Sequence, residues 1–180
     1  MIKLRIGAVM LGGLAATGCA SFDDGEPAVP PAPYAASADL RNAAGLQTAT
    51  ATATQVGNDI RVRVEGVNLP MGAHGVHVHM VGLCTAPGFE SAGGHWNPTG
   101  HKHGKDNPAG MHKGDLPNIL IGTDGRGTLE YTIPNGMVAG ANSAMLDGDG
   151  AALVVHANPD DHRTDPSGNS GGRIACGILR

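Results

Sequence analysis

Polar and apolar residues alternate along Asp59-Ile-Arg-Val-Arg-Val-Glu65, the period-two pattern of a half-buried strand. Just upstream, residues 46–54 alternate Thr and Ala, small side chains that suit a strand. Val56-Gly-Asn-Asp59 supplies turn chemistry between the two runs, so together they predict a hairpin. Further short strands are predicted at 76–80, 119–122, 127–133, 151–156 and 174–179, with turns at Thr123-Asp-Gly and Leu146-Asp-Gly-Asp-Gly. No stretch of the domain carries a helical period. Short strands punctuated by turns predict an all-β fold, an antiparallel sandwich or barrel. Two stretches break the pattern. Residues 81–116 are rich in Gly, Pro and Asn, and residues 157–172 are polar and irregular. A loop as long as the first, inside a compact domain, normally serves a function.

Composition sharpens this picture. The 29 glycines are roughly twice average usage, which favours turns over long helices. Aromatic residues are only 3% of the chain, so Val, Ile, Leu and Ala must fill the core. A length of 180 residues predicts one domain with tails. The net charge of -4 is modest and no basic run is present, which gives no sign of nucleic-acid binding.

The amino terminus reads as a targeting segment. Lys3 and Arg5 precede an apolar stretch, residues 6–16, and small residues follow up to Gly18-Cys19. The stretch is shorter than the roughly 20 residues a bilayer span needs. Residues 1–18 are therefore expected to be a signal peptide, removed on export to the periplasm. Small residues before a cysteine resemble the bacterial lipoprotein signal, so Cys19 is expected to carry lipid and tether the protein to a membrane; plain cleavage is the alternative. Residues 19–40, rich in Pro and Ala, read as an extended tether, with the folded domain at 41–180. Export bears on the remaining cysteines, Cys84 and Cys176, which an oxidising compartment favours as a disulfide over two buried thiols.

Seven of the nine histidines lie between positions 74 and 112. Neutral imidazole is the commonest metal ligand. On a strand, residues two apart share a face, so His77 and His79 form half a site. His156 ends another predicted strand. The long loop adds His95, His103, His112 and Asp115, with His101 an equal candidate to His103 on spacing alone. These suffice for two metal sites if one imidazole, with its two nitrogens, serves both. All-imidazole ligation suits copper, and three imidazoles with a carboxylate suit zinc.

The blocks His77-Val-His79, Gly94-His95-Trp-Asn-Pro98, Lys102-His103-Gly, His112-Lys-Gly-Asp115-Leu, Leu153-Val-Val-His156 and Gly168-Asn-Ser-Gly-Gly-Arg173-Ile-Ala-Cys176 closely resemble the copper/zinc superoxide dismutases in their bacterial exported form. The resemblance spans residues 46–179, with every block in family order. It implies a Greek-key, immunoglobulin-like β-barrel with two long functional loops. It implies disproportionation of superoxide to dioxygen and hydrogen peroxide, protecting the cell envelope. Copper would be held by His77, His79, His95 and His156. Zinc would be held by His95, His103, His112 and Asp115, with His95 bridging and passing a proton. Arg173 would attract the small anion, Asp160 would bond His77 and His103, and Cys84–Cys176 would be the family's disulfide. The same pattern selects His103 over His101, makes His74 a buried structural residue, and leaves monomer or homodimer open. His162, beside Asp160 and Asp161 in the second loop, is expected to be solvated. Readings from other classes are a non-catalytic metal-storage module and a hydrolytic zinc enzyme; the latter wants an open zinc position, which four protein ligands close.

Overall fold

The structure, a computed structural model, describes residues 34–140 and 143–180. The expected signal peptide, Cys19 and most of the expected tether lie outside the described residues. Within them the chain forms β1 (Ala35–Arg41), β2 (Gln47–Val56), β3 (Asp59–Gly66), β4 (Gly72–His74), β5 (Val76–His79), β6 (Ile119–Ile121), β7 (Gly127–Ile133), β8 (Ala151–His156) and β9 (Arg173–Leu179). One 3-10 turn, Glu90–Ala92, lies in the first long loop.

Seven strands make one antiparallel sheet in the order β5-β8-β9-β1-β2-β3-β7, and β4 pairs with β6 separately. After the β1-β2-β3 meander the chain crosses to the far edge for β5. It returns to put β7 beside β3, then crosses again to insert β8 between β5 and β9. These crossings are of Greek-key type. Val78, on one edge strand, and Ile133, on the other, belong to a single buried cluster, so the sheet curls around its core. That core is Leu40, Ile60, Val62, Val64, Leu153 and their aliphatic neighbours, with Trp96 its one large aromatic.

The predicted hairpin is present, with Val56 opposite Asp59. The amino-terminal boundary is corrected. β1 begins at Ala35, inside the stretch expected to be tether, and buries Ala36, Ala38 and Leu40 on one face. Its alternation is carried by alanine and serine, whose small contrast in hydropathy resembles a linker. β4 was also not anticipated; at three residues it is too short to show a period.

The architecture delivers the histidine-bearing segments to one end of the sheet. β5 is buried on both faces: Val76 and Val78 enter the core while His77 and His79 point away from it. The long loop then packs back onto β5, where His79 pairs with His95 and His77 with Asp115 as isolated bridges. Gly114 approaches the Val78 carbonyl so closely that any side chain would collide with that backbone. The loop is irregular in sequence and ordered by its contacts.

Candidate metal centre

His77, His79, His95 and His156 form one cluster whose nearest ring nitrogens all lie within 4.8 Å of one another. One nitrogen of each strand-borne ring is already engaged. His77 Nε2 donates to Asp160 Oδ2 at 2.8 Å, His79 Nδ1 to the Gly93 carbonyl at 2.8 Å, and His156 Nδ1 to the Gly171 carbonyl at 3.1 Å. These bonds fix which nitrogen carries the proton. The other nitrogens, His77 Nδ1, His79 Nε2 and His156 Nε2, are buried with no partner. Leaving a buried polar atom unpaired costs about 1–3 kcal/mol, so three converging on one point need a common ligand. A soft cation accepting imidazole lone pairs fits them.

The rings are electrically prepared for that role. Burial pushes His77 down to about 3, with the neighbouring His95 and His156 acting in the same direction against the Asp160 bond. Burial likewise holds His79 at about 2 and His156 at about 4, with Arg173 adding to both. All three are neutral at pH 7 and present lone pairs rather than N–H donors.

A second cluster surrounds one carboxylate oxygen. Asp115 Oδ1 lies 2.8 Å from His95 Nδ1, 3.0 Å from His103 Nδ1 and 3.1 Å from His112 Nδ1. Asp115 Oδ2 accepts the backbone N–H groups of Gly104 and His112 at 2.9 and 3.0 Å. Burial opposes the charge on Asp115, but these contacts outweigh it and hold the carboxyl well below its usual range. Burial also works against a charged His103, and its contacts with Asp115 and Asp160 overcome this to raise it to about 9. Proximity alone also groups His77 with His95, His103 and Asp115. His112 is the better fourth member, because its Nδ1 faces the same oxygen while His77 Nε2 is committed to Asp160. Three imidazoles and a carboxylate are a zinc-type donor set. His95 belongs to both clusters, and its ring lies 3.9 Å, centroid to centroid, from that of His77.

Arg173 bridges the ends of the 3-10 turn, donating from Nη1 to the Phe89 carbonyl at 2.6 Å and from Nη2 to the Gly93 carbonyl at 2.7 Å. Cys84 and Cys176 are joined as a disulfide with Cα atoms 5.7 Å apart, tying the start of this loop to β9. Among the described residues, the whole expected donor set thus gathers at one end of the sheet. His74 stands apart, its ring between the carbonyls of His156 and Pro70. His101 is exposed and faces the Met111 carbonyl.

His162 departs from expectation. It is not a solvated loop residue: its ring is largely covered, lying 3.5 Å from Asp160 Oδ2, and its backbone N–H donates to Asp160 Oδ1. The return of the loop over Asn118 covers it. Asn118 itself was not anticipated; its side chain donates to the Asp160 carbonyl at 2.9 Å and accepts the Asp160 N–H at 2.7 Å. Gly168 also acts here, since at φ +63 a methyl group would overlap the Asp160 carboxylate and press on His103 Nε2. A lone Asn and a Gly in a polar loop carry no sequence signal for such work.

Fold and site together define an all-β metalloprotein with two histidine clusters sharing one ring. A sequence model of the family "Copper/zinc superoxide dismutase (SODC)" matches residues 47–179. A copper–zinc superoxide dismutase of Aquifex aeolicus is 40% identical over 147 residues, 79% of this chain and 86% of its own length. One from Caulobacter vibrioides is 39% identical over 148 residues, 81% of this chain and 85% of its own. The crystal structure of a SOD-like protein from Bacillus subtilis is 36% identical and aligns with a TM-score of 0.75, over 80% of this chain and 97% of that one. The chain belongs to the copper/zinc superoxide dismutase family, and with the family come the enzyme class and its two cofactors, copper and zinc.

Proposed function

We propose that His77, His79, His95 and His156 hold copper, that His95, His103, His112 and Asp115 hold zinc, and that His95 bridges the two. The observation that carries this is the set of three buried, unpartnered imidazole nitrogens facing a ring whose Nδ1 already sits with Asp115. Copper, when bound, supplies the one-electron exchange by which two superoxide anions and two protons become dioxygen and hydrogen peroxide. The chain's residues supply the rest. Arg173 is a fixed cation with several donors; two reach the Phe89 and Gly93 carbonyls, which aims the guanidinium and leaves others for a small anion. The Nδ1 contact holds the His95 ring in one orientation, so that Nε2 can take up and return a proton without the ring turning. Asp160 holds His77 with one oxygen and His103 with the other, keeping the two clusters in register. Zinc has no redox chemistry, and its place is structural and electrostatic.

Envelope protection follows as part of this reading: the amino-terminal segment exports the chain to the periplasm, and Cys19 carries lipid there. The disulfide supports an oxidising compartment. Retention of label from a radiolabelled fatty acid by the wild type, and its loss in Cys19→Ala, tests the anchor.

The function is tested by assaying superoxide dismutation of the copper- and zinc-loaded protein before and after chelation. Metal binding without turnover would favour the storage module. Replacing His156 should remove copper and spare zinc, His112 the reverse, and His95 should weaken both; a His95→Ala protein with normal affinity for either metal ends the bridging assignment.

A further inference from the structure

The loop of residues 157–172 grips His103 at two points. Asp160 Oδ1 accepts from the ring at Nε2, 3.0 Å away, as described. Five residues on, Asp165 Oδ1 accepts the backbone N–H of His103 at 2.8 Å, and its other oxygen accepts from Lys102 Nζ at 3.0 Å. A ring and a main chain held from the same loop leave the imidazole little freedom about its own backbone. From the main-chain bond we infer that Asp165 is a positioning residue for zinc: it fixes the backbone of His103 so that Nδ1 stays aimed at the metal. This rests on the proposed zinc assignment of His103.

The loop is built to present Asp165. Asp161 accepts from the backbone N–H groups of Arg163 and Thr164 at 2.9 and 2.8 Å, from the Thr164 hydroxyl at 2.7 Å and from Asn169 at 2.9 Å. Those bonds shape the turn on which Asp165 stands without touching either metal cluster. Two further links bring the loops together: the Asp106 N–H donates to the His162 carbonyl at 2.9 Å, and Asn107 donates to the Arg163 carbonyl at 3.3 Å.

The two bonds of Asp165 are unequal. Lys102 and Asp165 have side chains 62% and 39% exposed, and ion pairs in such surroundings are screened and weak. The bond to the His103 N–H is charge-assisted and part-buried, which makes it the stronger. The acceptor oxygen, and not the ion pair, is therefore the working part.

The experiment measures zinc and copper affinities of the full-length protein by competition with a chromophoric chelator. The variants are Asp165→Ala, Asp165→Asn, Lys102→Met and His103→Ala. Asp165→Ala should weaken zinc about 10- to 100-fold, the usual effect of removing a partner that orients a ligand. Copper affinity should stay at the wild-type value, because His103 is not in that cluster. Asp165→Asn, which keeps an acceptor oxygen, and Lys102→Met should both lie within about threefold of wild type, a change on the scale of an exposed ion pair. Wild-type zinc affinity in Asp165→Ala overturns the inference. So does an equal fall in copper affinity, which would mean that the loop has merely loosened around Asp160. A loss in Asp165→Asn or Lys102→Met as large as that in Asp165→Ala overturns the acceptor role. Unchanged zinc binding in His103→Ala would instead defeat the zinc assignment beneath it.

Discussion

Arg173 and His79 share one acceptor: the Gly93 carbonyl takes the guanidinium's Nη2 at 2.7 Å and the imidazole's Nδ1 at 2.8 Å. The cation proposed to meet the substrate and a ligand of the proposed copper are thereby set by a single peptide group. Replacing Arg173 with Glu reverses the charge that already acts on the His79 and His156 rings. It should lower kcat/KM by about 10- to 1000-fold, the range over which charge steering acts, with copper content unchanged. Arg173→Lys keeps the charge, but a single ammonium cannot span both carbonyls, so an intermediate loss is expected. Pulse radiolysis with parallel copper analysis measures both; an unaltered rate in Arg173→Glu removes the steering role.

Gly168 sits where the two loops meet. With φ at +63 and the Asp160 carboxylate where a Cβ would stand, the position excludes a side chain on two grounds. Gly168→Ala should destabilise the domain by about 1–3 kcal/mol, the range for strain at such a backbone position, and should weaken zinc. Thermal unfolding and zinc competition report this, and a variant matching wild type in both would show that the loop yields freely.

The disulfide joins residues 92 apart in sequence. Its loss should cost about 2–5 kcal/mol. It also anchors the segment that ends in Phe89, whose carbonyl receives Arg173. Cys84→Ser is therefore expected to lower kcat/KM as well as the melting temperature. Steady-state assays below the new melting point separate the two effects; full activity there would mean that Phe89 stays in place without the bridge.

Acid should unfold the metal-free domain early. His77, His79 and His156 have folded values near 3, 2 and 4, below the ordinary 6.5. The unfolded chain thus binds protons first. The stability these groups contribute is complete above about pH 6.5 and drains away as pH falls towards 4 and below. His156 alone makes this on the order of 3 kcal/mol. His103 works in the opposite sense: raised to about 9, its contribution is full below about 6.5 and is lost as pH rises through 9. Melting of the chelator-treated protein at pH 7, 5.5 and 4 should show a steady fall, and a flat profile would contradict the burial of these rings.

The residues expected as donors could be picked out in the sequence because their chemistry is rare and their spacing local, and the structure brings them together. His77 and His79 share a face through strand geometry alone, and His156 closes an apolar run that could only be buried. Period-two alternation likewise marked β3 and its hairpin with β2. Where the alternation was carried by alanine, as in β1, the contrast was too small to mark the strand. Tertiary structure decided the rest. Which nitrogen of each ring stays free depends on carbonyls and carboxylates brought from elsewhere, at Gly93, Gly171 and Asp160. The choice of His103 over His101 depends on a loop folding back against another. Asn118 meets Asp160 and His162, Asp165 meets His103, and Gly168 leaves room for His103, all across 40 or more residues of sequence. Residue types name the available chemistry, but hydrogen bonds and close approaches fix orientation, and those exist only once distant segments are packed together.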